Sequence, residues 1–113
     1  MVRPKLSFDK KEDKVTAVAD FIRQNVSSIS FVGMMRDKNI MSAKADIGTI
    51  EIIETDYSLW NISGRISLKY EIDDNGGTLD CWFSFTSSCS IKRGEDNIPI
   101  VSDLDMINVT QKI

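Results

Sequence analysis

Between residues 65 and 72 the apolar side chains of Ile66, Leu68, Tyr70 and Ile72 alternate strictly with Arg65, Ser67, Lys69 and Glu71. A period of two sends successive side chains to opposite faces of a strand, so this segment predicts a sheet that is greasy on one side and charged on the other. Asp73, Asp74, Asn75, Gly76 and Gly77 follow, residue types that adopt positive φ readily, and they predict a tight hairpin turn. Alternation resumes over residues 78–86, with Leu79, Cys81, Phe83 and Phe85 in one phase. Asp80, Trp82, Ser84 and Thr86 occupy the other.

The N-terminal third carries a different period. Val15, Val18, Ala19, Ile22 and Val26 recur at spacings of three and four, the stripe of an amphipathic helix. Asp9 as N-cap, with Glu12 three residues on, places that helix at residues 9–25 after an extended lead-in that Pro4 keeps out of helical geometry. Residues 29–35 and 40–47, split by the polar turn at 36–39, predict a first hairpin. Gly48 marks a bend before a strand at 49–55. Residues 56–63 fit no single period, although Tyr57, Leu59 and Trp60 need burial. A further strand is expected at 88–92, a turn at 93–97 and a last strand at 104–110. Pro99 lacks a ladder donor, so residues 98–101 are an edge strand or no strand. No linker or repeat divides the chain. The expectation is one α+β domain over residues 1–113: an N-terminal amphipathic helix packed on one face of an antiparallel β-meander of about five or six strands. The opposite sheet face should be polar, acidic and open to solvent.

Composition adds bounds. A chain of 113 residues that is 42% hydrophobic and 27% charged is globular in character rather than disordered. At this length roughly 65% of the unfolded surface is buried on folding, enough for one core without metals or cross-links. Cys81 and Cys89 would stand roughly 26 Å apart on one straight strand, beyond disulfide reach. No apolar run matches a membrane span, and the charged N-terminus lacks a signal-peptide core, which sets a cytoplasmic expectation. The net charge of −3 hides an asymmetry: residues 1–45 hold nine Lys/Arg against five Asp/Glu, whereas residues 46–105 hold four against twelve. An acidic sheet region disfavours phosphate-backbone binding and suits a basic partner.

The chain has no histidine, which removes the commonest general base, the commonest metal ligand and every Ser-His or Cys-His pairing. The 73–77 turn lies between strands rather than before a helix, so it is no phosphate loop. Counted from Asp73 as a calcium loop, position six is Thr78 and position twelve is Ser84, where glycine and glutamate are required. Asp103 and Asp105 share a side if extended, and Cys89 lies in a serine-rich run near Lys92 and Arg93. Neither arrangement reaches a recognisable catalytic set. No catalytic, cofactor-binding or metal-ligating residue is therefore assigned, and the chain is read as a non-enzyme.

Trp82 is the residue most out of place, an aromatic in the polar phase and of the type that anchors interfaces. The leading expectation is a small acidic protein-binding module, a stoichiometric inhibitor by class analogy with immunity and phage anti-defence proteins. Its expected surface is Trp82 with Asp80, Glu71, Glu51 and Glu54, facing a protein with a basic surface and not nucleic acid or membrane. The alternative is a chaperone-like or assembly subunit acting through the helix or a sheet edge, for which a homodimer is the signature. A small-ligand carrier or carboxylate-dependent enzyme using Asp103, Asp105 or Cys89 ranks third.

Overall fold

A computed structural model describes residues 5–56, 59–72 and 76–113. The helix α1 runs Lys11–Gln24 and turns Val15, Val18, Ala19 and Ile22 into the core, the stripe its spacing requires. Seven strands follow among the described residues: β1 Ser30–Gly33, β2 Ile40–Ala45, β3 Glu51–Glu54, β4 Leu59–Glu71, β5 Thr78–Arg93, β6 Pro99–Ser102 and β7 Met106–Lys112. They form one mixed sheet in the order β1-β7-β5-β4-β2, with β3 also on β4 and β6 also on β5.

The antiparallel hairpin of β4 and β5 is the spine, in register from Leu59 opposite Ser90 to Glu71 opposite Thr78. Each of the two long strands carries short partners end to end on its outer edge. β2 and β3 flank β4, and β7 and β6 flank β5. The expected strands at 78–86 and 88–92 are thus one strand. Its inward phase never breaks: Phe83, Phe85, Cys89 and Ile91 are all odd-numbered and all buried. β6 is the edge strand that Pro99 allows.

Residues 59–63 belong to β4, with Trp60 and Ile62 buried in phase with Ile66, Leu68 and Tyr70. Gly64 hides this period from the sequence, because it fills an inward position without a side chain. A Cβ there would lie 3.1 Å from both the Ile50 Cα and the Thr49 carbonyl oxygen, where a short 3-10 helix, Ile47–Thr49, packs against the strand. Asp46 holds that turn: its carboxylate accepts from the Gly48 N–H at 3.2 Å and pairs with Arg65 at 3.2 Å.

Two expectations about connectivity are corrected. The sheet is mixed, not an antiparallel meander, and it has seven strands rather than five or six. Moreover β1 and β2 do not pair as a hairpin: they stand at opposite ends of the sheet path. β1 lies parallel to β7, its Ser30 N–H donating to the Asp105 carbonyl at 2.8 Å and the Met34 N–H to that of Val109 at 3.0 Å. Gly33, at φ +80°, ends β1 where a Cβ would strike the Val109 carbonyl. β2 instead sets the small Ala43 and Ala45 opposite Leu68 and Ile66, beside α1. Ala43 and Ala45 point inward as their alternation predicts, whereas Met41, at an irregularity between Ile40 and Ser42, and Ile47 are exposed, and each segment finds its ladder on a strand distant in sequence.

The helix start is also corrected. Lys10 occupies the N-cap position and no side chain caps it. The Asp9 carboxylate turns away to Arg93 at 3.1 Å and to the Asn97 side-chain amide at 2.8 Å. With the Phe8 N–H donating to the Asn97 carbonyl at 2.7 Å, the lead-in is clasped to the β5–β6 connection. Ile72 and Leu79, in the apolar phase by sequence, are exposed because they lie beyond the reach of the core at the hairpin's end. Residues 1–4, residues 73–75 of the expected turn and Tyr57 lie outside the described residues.

Candidate functional site on the outer sheet face

The face of the sheet away from α1 is built in cross-strand rows, because residues opposed in an antiparallel ladder project to the same side. One row joins Ile53 of β3, Asn61 of β4 and Ser88 of β5. The next runs across five strands: Glu51, Ser63, Thr86, Asn108 and Val32. Ile53, Asn61 and Ser88 of the first row and Ser63, Thr86 and Asn108 of the second line a trough of about 480 Å³, completed by Asp105 and Met106 at the start of β7.

The trough has a polar floor and apolar walls. Asn61, Ser63, Thr86, Ser88 and Asn108 carry no hydrogen bond from their side chains to another group among the described residues, so their donors and acceptors are free for a ligand. Ile53 is 62% exposed on one wall and Met106 54% exposed on the other. Three strand spacings separate those walls, or about 14 Å. Among the described lining residues Asp105 is the one with a charge, and Glu51 stands at the end of the second row.

Further along the same face, Trp82 is 42% exposed opposite Ser67, with Asp80 opposite Lys69 and Glu71 opposite Thr78. Trp82 lies four residues from Thr86 on β5, about 13 Å. Charges around it are mixed, not acidic: Lys44 pairs with Ser67 across β2 and β4, and Arg65 and Lys69 project from β4. The five residues expected from sequence therefore fall into three places. Trp82, Asp80 and Glu71 share one end of the outer face, Glu51 borders the trough, and Glu54 opposes the buried Trp60 and is exposed at the end of β3. The trough residues themselves went unread. Their signal was present: the turn composition of residues 73–77 predicts a tight connection between the two flanking strands, and extending that pairing aligns Asn61 with Ser88 and Ser63 with Thr86, the register observed.

The other candidate groups do not join this site. Cys89 is fully buried in the inward phase, and burial, with the nearby Asp103 carboxylate, pushes its thiol up to about 12. Asp103 adopts φ +60°, so the segment through Asp105 is not the extended stretch that would align the two carboxylates. Among the described residues no three His, Cys, Asp or Glu side chains are grouped so as to hold a metal ion. No helix among them is long and apolar enough to cross a membrane.

Comparison with protein families, with curated proteins and with solved structures finds no match for this chain.

Proposed function

We propose that this chain is a non-catalytic protein-binding module that acts stoichiometrically, occupying a partner's surface with the outer face of its sheet. The observation that carries the reading is the trough: a polar floor with unused hydrogen-bonding groups, set between the exposed Ile53 and Met106, on a face that α1 leaves open. Interfaces combine buried apolar anchors with polar groups that fix register, and Trp82 supplies a second anchor on the same face. The carboxylates of Glu51 and Asp105 favour a basic partner surface and raise the association rate.

The test is recovery of a partner at fixed stoichiometry from native host cells by wild-type protein, with loss on Thr86→Trp and retention on Lys11→Glu, which lies on the helix. Equal recovery by Thr86→Trp and wild type would move the interface off this face. Assembly through a sheet edge is a second reading, favoured by β1. The Ser30 and Met34 N–H groups bond to β7, so by parity the peptide groups of Phe31 and the Gly33 N–H point to the open edge. Concentration-dependent mass by light scattering supports that reading, and a monomer at all concentrations removes it.

A further inference from the structure

Resting on the protein-binding reading, we propose that the trough receives an extended segment of the partner that carries lysine or arginine, lying along β4 and β5.

The floor selects an extended chain over a helix. A helix closes its own main-chain hydrogen bonds and would leave Asn61, Ser88 and Asn108 facing satisfied backbone. An extended segment presents free N–H and C=O groups along its length, the partners that hydroxyl and amide side chains need. The walls agree with this choice. Side chains of an extended chain alternate between its two sides, so neighbouring residues meet Ile53 on one wall and Met106 on the other.

Charge selects the cation. Asp105, just before β7, lines the trough, and Glu51 on β3 neighbours its lining residue Ser63; among the described lining residues there is no lysine or arginine. Arg65, two residues beyond Ser63 on β4, is already paired with Asp46 at 3.2 Å. A basic side chain of the incoming segment therefore finds the unneutralised Asp105 carboxylate in the trough and Glu51 beside it, whereas an acidic one is repelled.

The experiment is a titration of the isotope-labelled full chain, followed by NMR, with an acetylated and amidated eight-residue peptide of alternating arginine and valine. The expected result is saturable movement of the Asn61 and Asn108 side-chain amide signals. Asp105→Asn and Glu51→Gln should each weaken binding by roughly three- to tenfold, and Lys11→Glu, on the helix, should leave it unchanged. Both carboxylates are exposed, so these variants keep the fold, checked by unmoved signals elsewhere. The inference is overturned by equal binding of a glutamate–valine peptide, by spermine binding as tightly as the peptide, or by maltohexaose moving the same signals. Movement confined to Trp82 or to β1 overturns it as well. Its failure is distinct from failure of the broader reading. A host partner whose recovery survives Thr86→Trp refutes the trough and keeps protein binding. A trough that takes the peptide while the chain has no stoichiometric host partner does the reverse.

Discussion

Cys89 sits among Ser87, Ser88 and Ser90, yet it is fully buried, because the strand's period and not its local polarity decides which way a side chain points. Its protonated form is favoured by burial, so the unfolded chain releases the thiol proton first as pH rises from 9 toward about 12. The contribution to stability is complete below the ordinary thiol value and is lost through that window. Tyr70, which donates to the Cys81 sulfur at 3.7 Å and is likewise raised chiefly by that bond, adds to the same alkaline loss. Urea midpoints measured across that window should therefore fall more steeply in wild type than in Cys89→Ala. A thiol reagent at mildly alkaline pH should modify the half-buried Cys81 before Cys89. The same distinction between phase and burial applies to the hydrophobic positions. Ile66→Ala, Leu68→Ala and Phe83→Ala should each cost about 2–5 kcal/mol in denaturant unfolding, since all three are buried. Ile72→Ala and Leu79→Ala should cost under about 1 kcal/mol despite equal standing in the sequence pattern.

At the scale of elements, periodicity carried the reading wherever a segment's own residues set its partner. α1 and the β4–β5 hairpin were legible because a stripe of valines and isoleucines, and a glycine-containing turn, are local signals. β4 was only half legible because Gly64 removes one beat of the alternation to admit the Ile47–Thr49 turn. Gly64→Ala should accordingly cost about 1–3 kcal/mol through forced displacement of the Ile50 backbone, measured by the same unfolding experiment. The pairing of β1 with β7 was not legible at all. It joins residues some 75 positions apart, and nothing in residues 29–35 distinguishes a partner at 40–47 from one at 106–109. The expected Asp9 cap failed for a similar reason, since Arg93 and Asn97 compete successfully for a carboxylate that would cap the helix in isolation. A double-mutant cycle should give coupling between Asp9 and Arg93 of up to about 1 kcal/mol, and none between Asp9 and Glu12.

Over the whole molecule the charge asymmetry resolves into geography. Much of the acidity of residues 46–105 lies at strand ends and connections: Glu54, Asp56, Glu95, Asp96, Asp103 and Asp105. The outer face mixes Glu51, Glu71 and Asp80 with Lys44, Arg65 and Lys69. Composition alone could not separate those two distributions, so the sequence pointed to Trp82, whereas the docking site proposed above is the neutral-floored trough lined by Asp105 and neighboured by Glu51. A partner drawn in by Glu51 and Asp105 should associate more slowly as salt is raised, with its dissociation little changed, in stopped-flow or surface-binding kinetics. The most direct measurement is amide hydrogen exchange of the chain alone and bound to its host partner. Slowed exchange at residues 51–54, 61–63, 86–88 and 106–108, with α1 unaltered, is the expected result. Protection that falls on the helix, or only on residues 31–33 of β1, contradicts an outer-face docking surface.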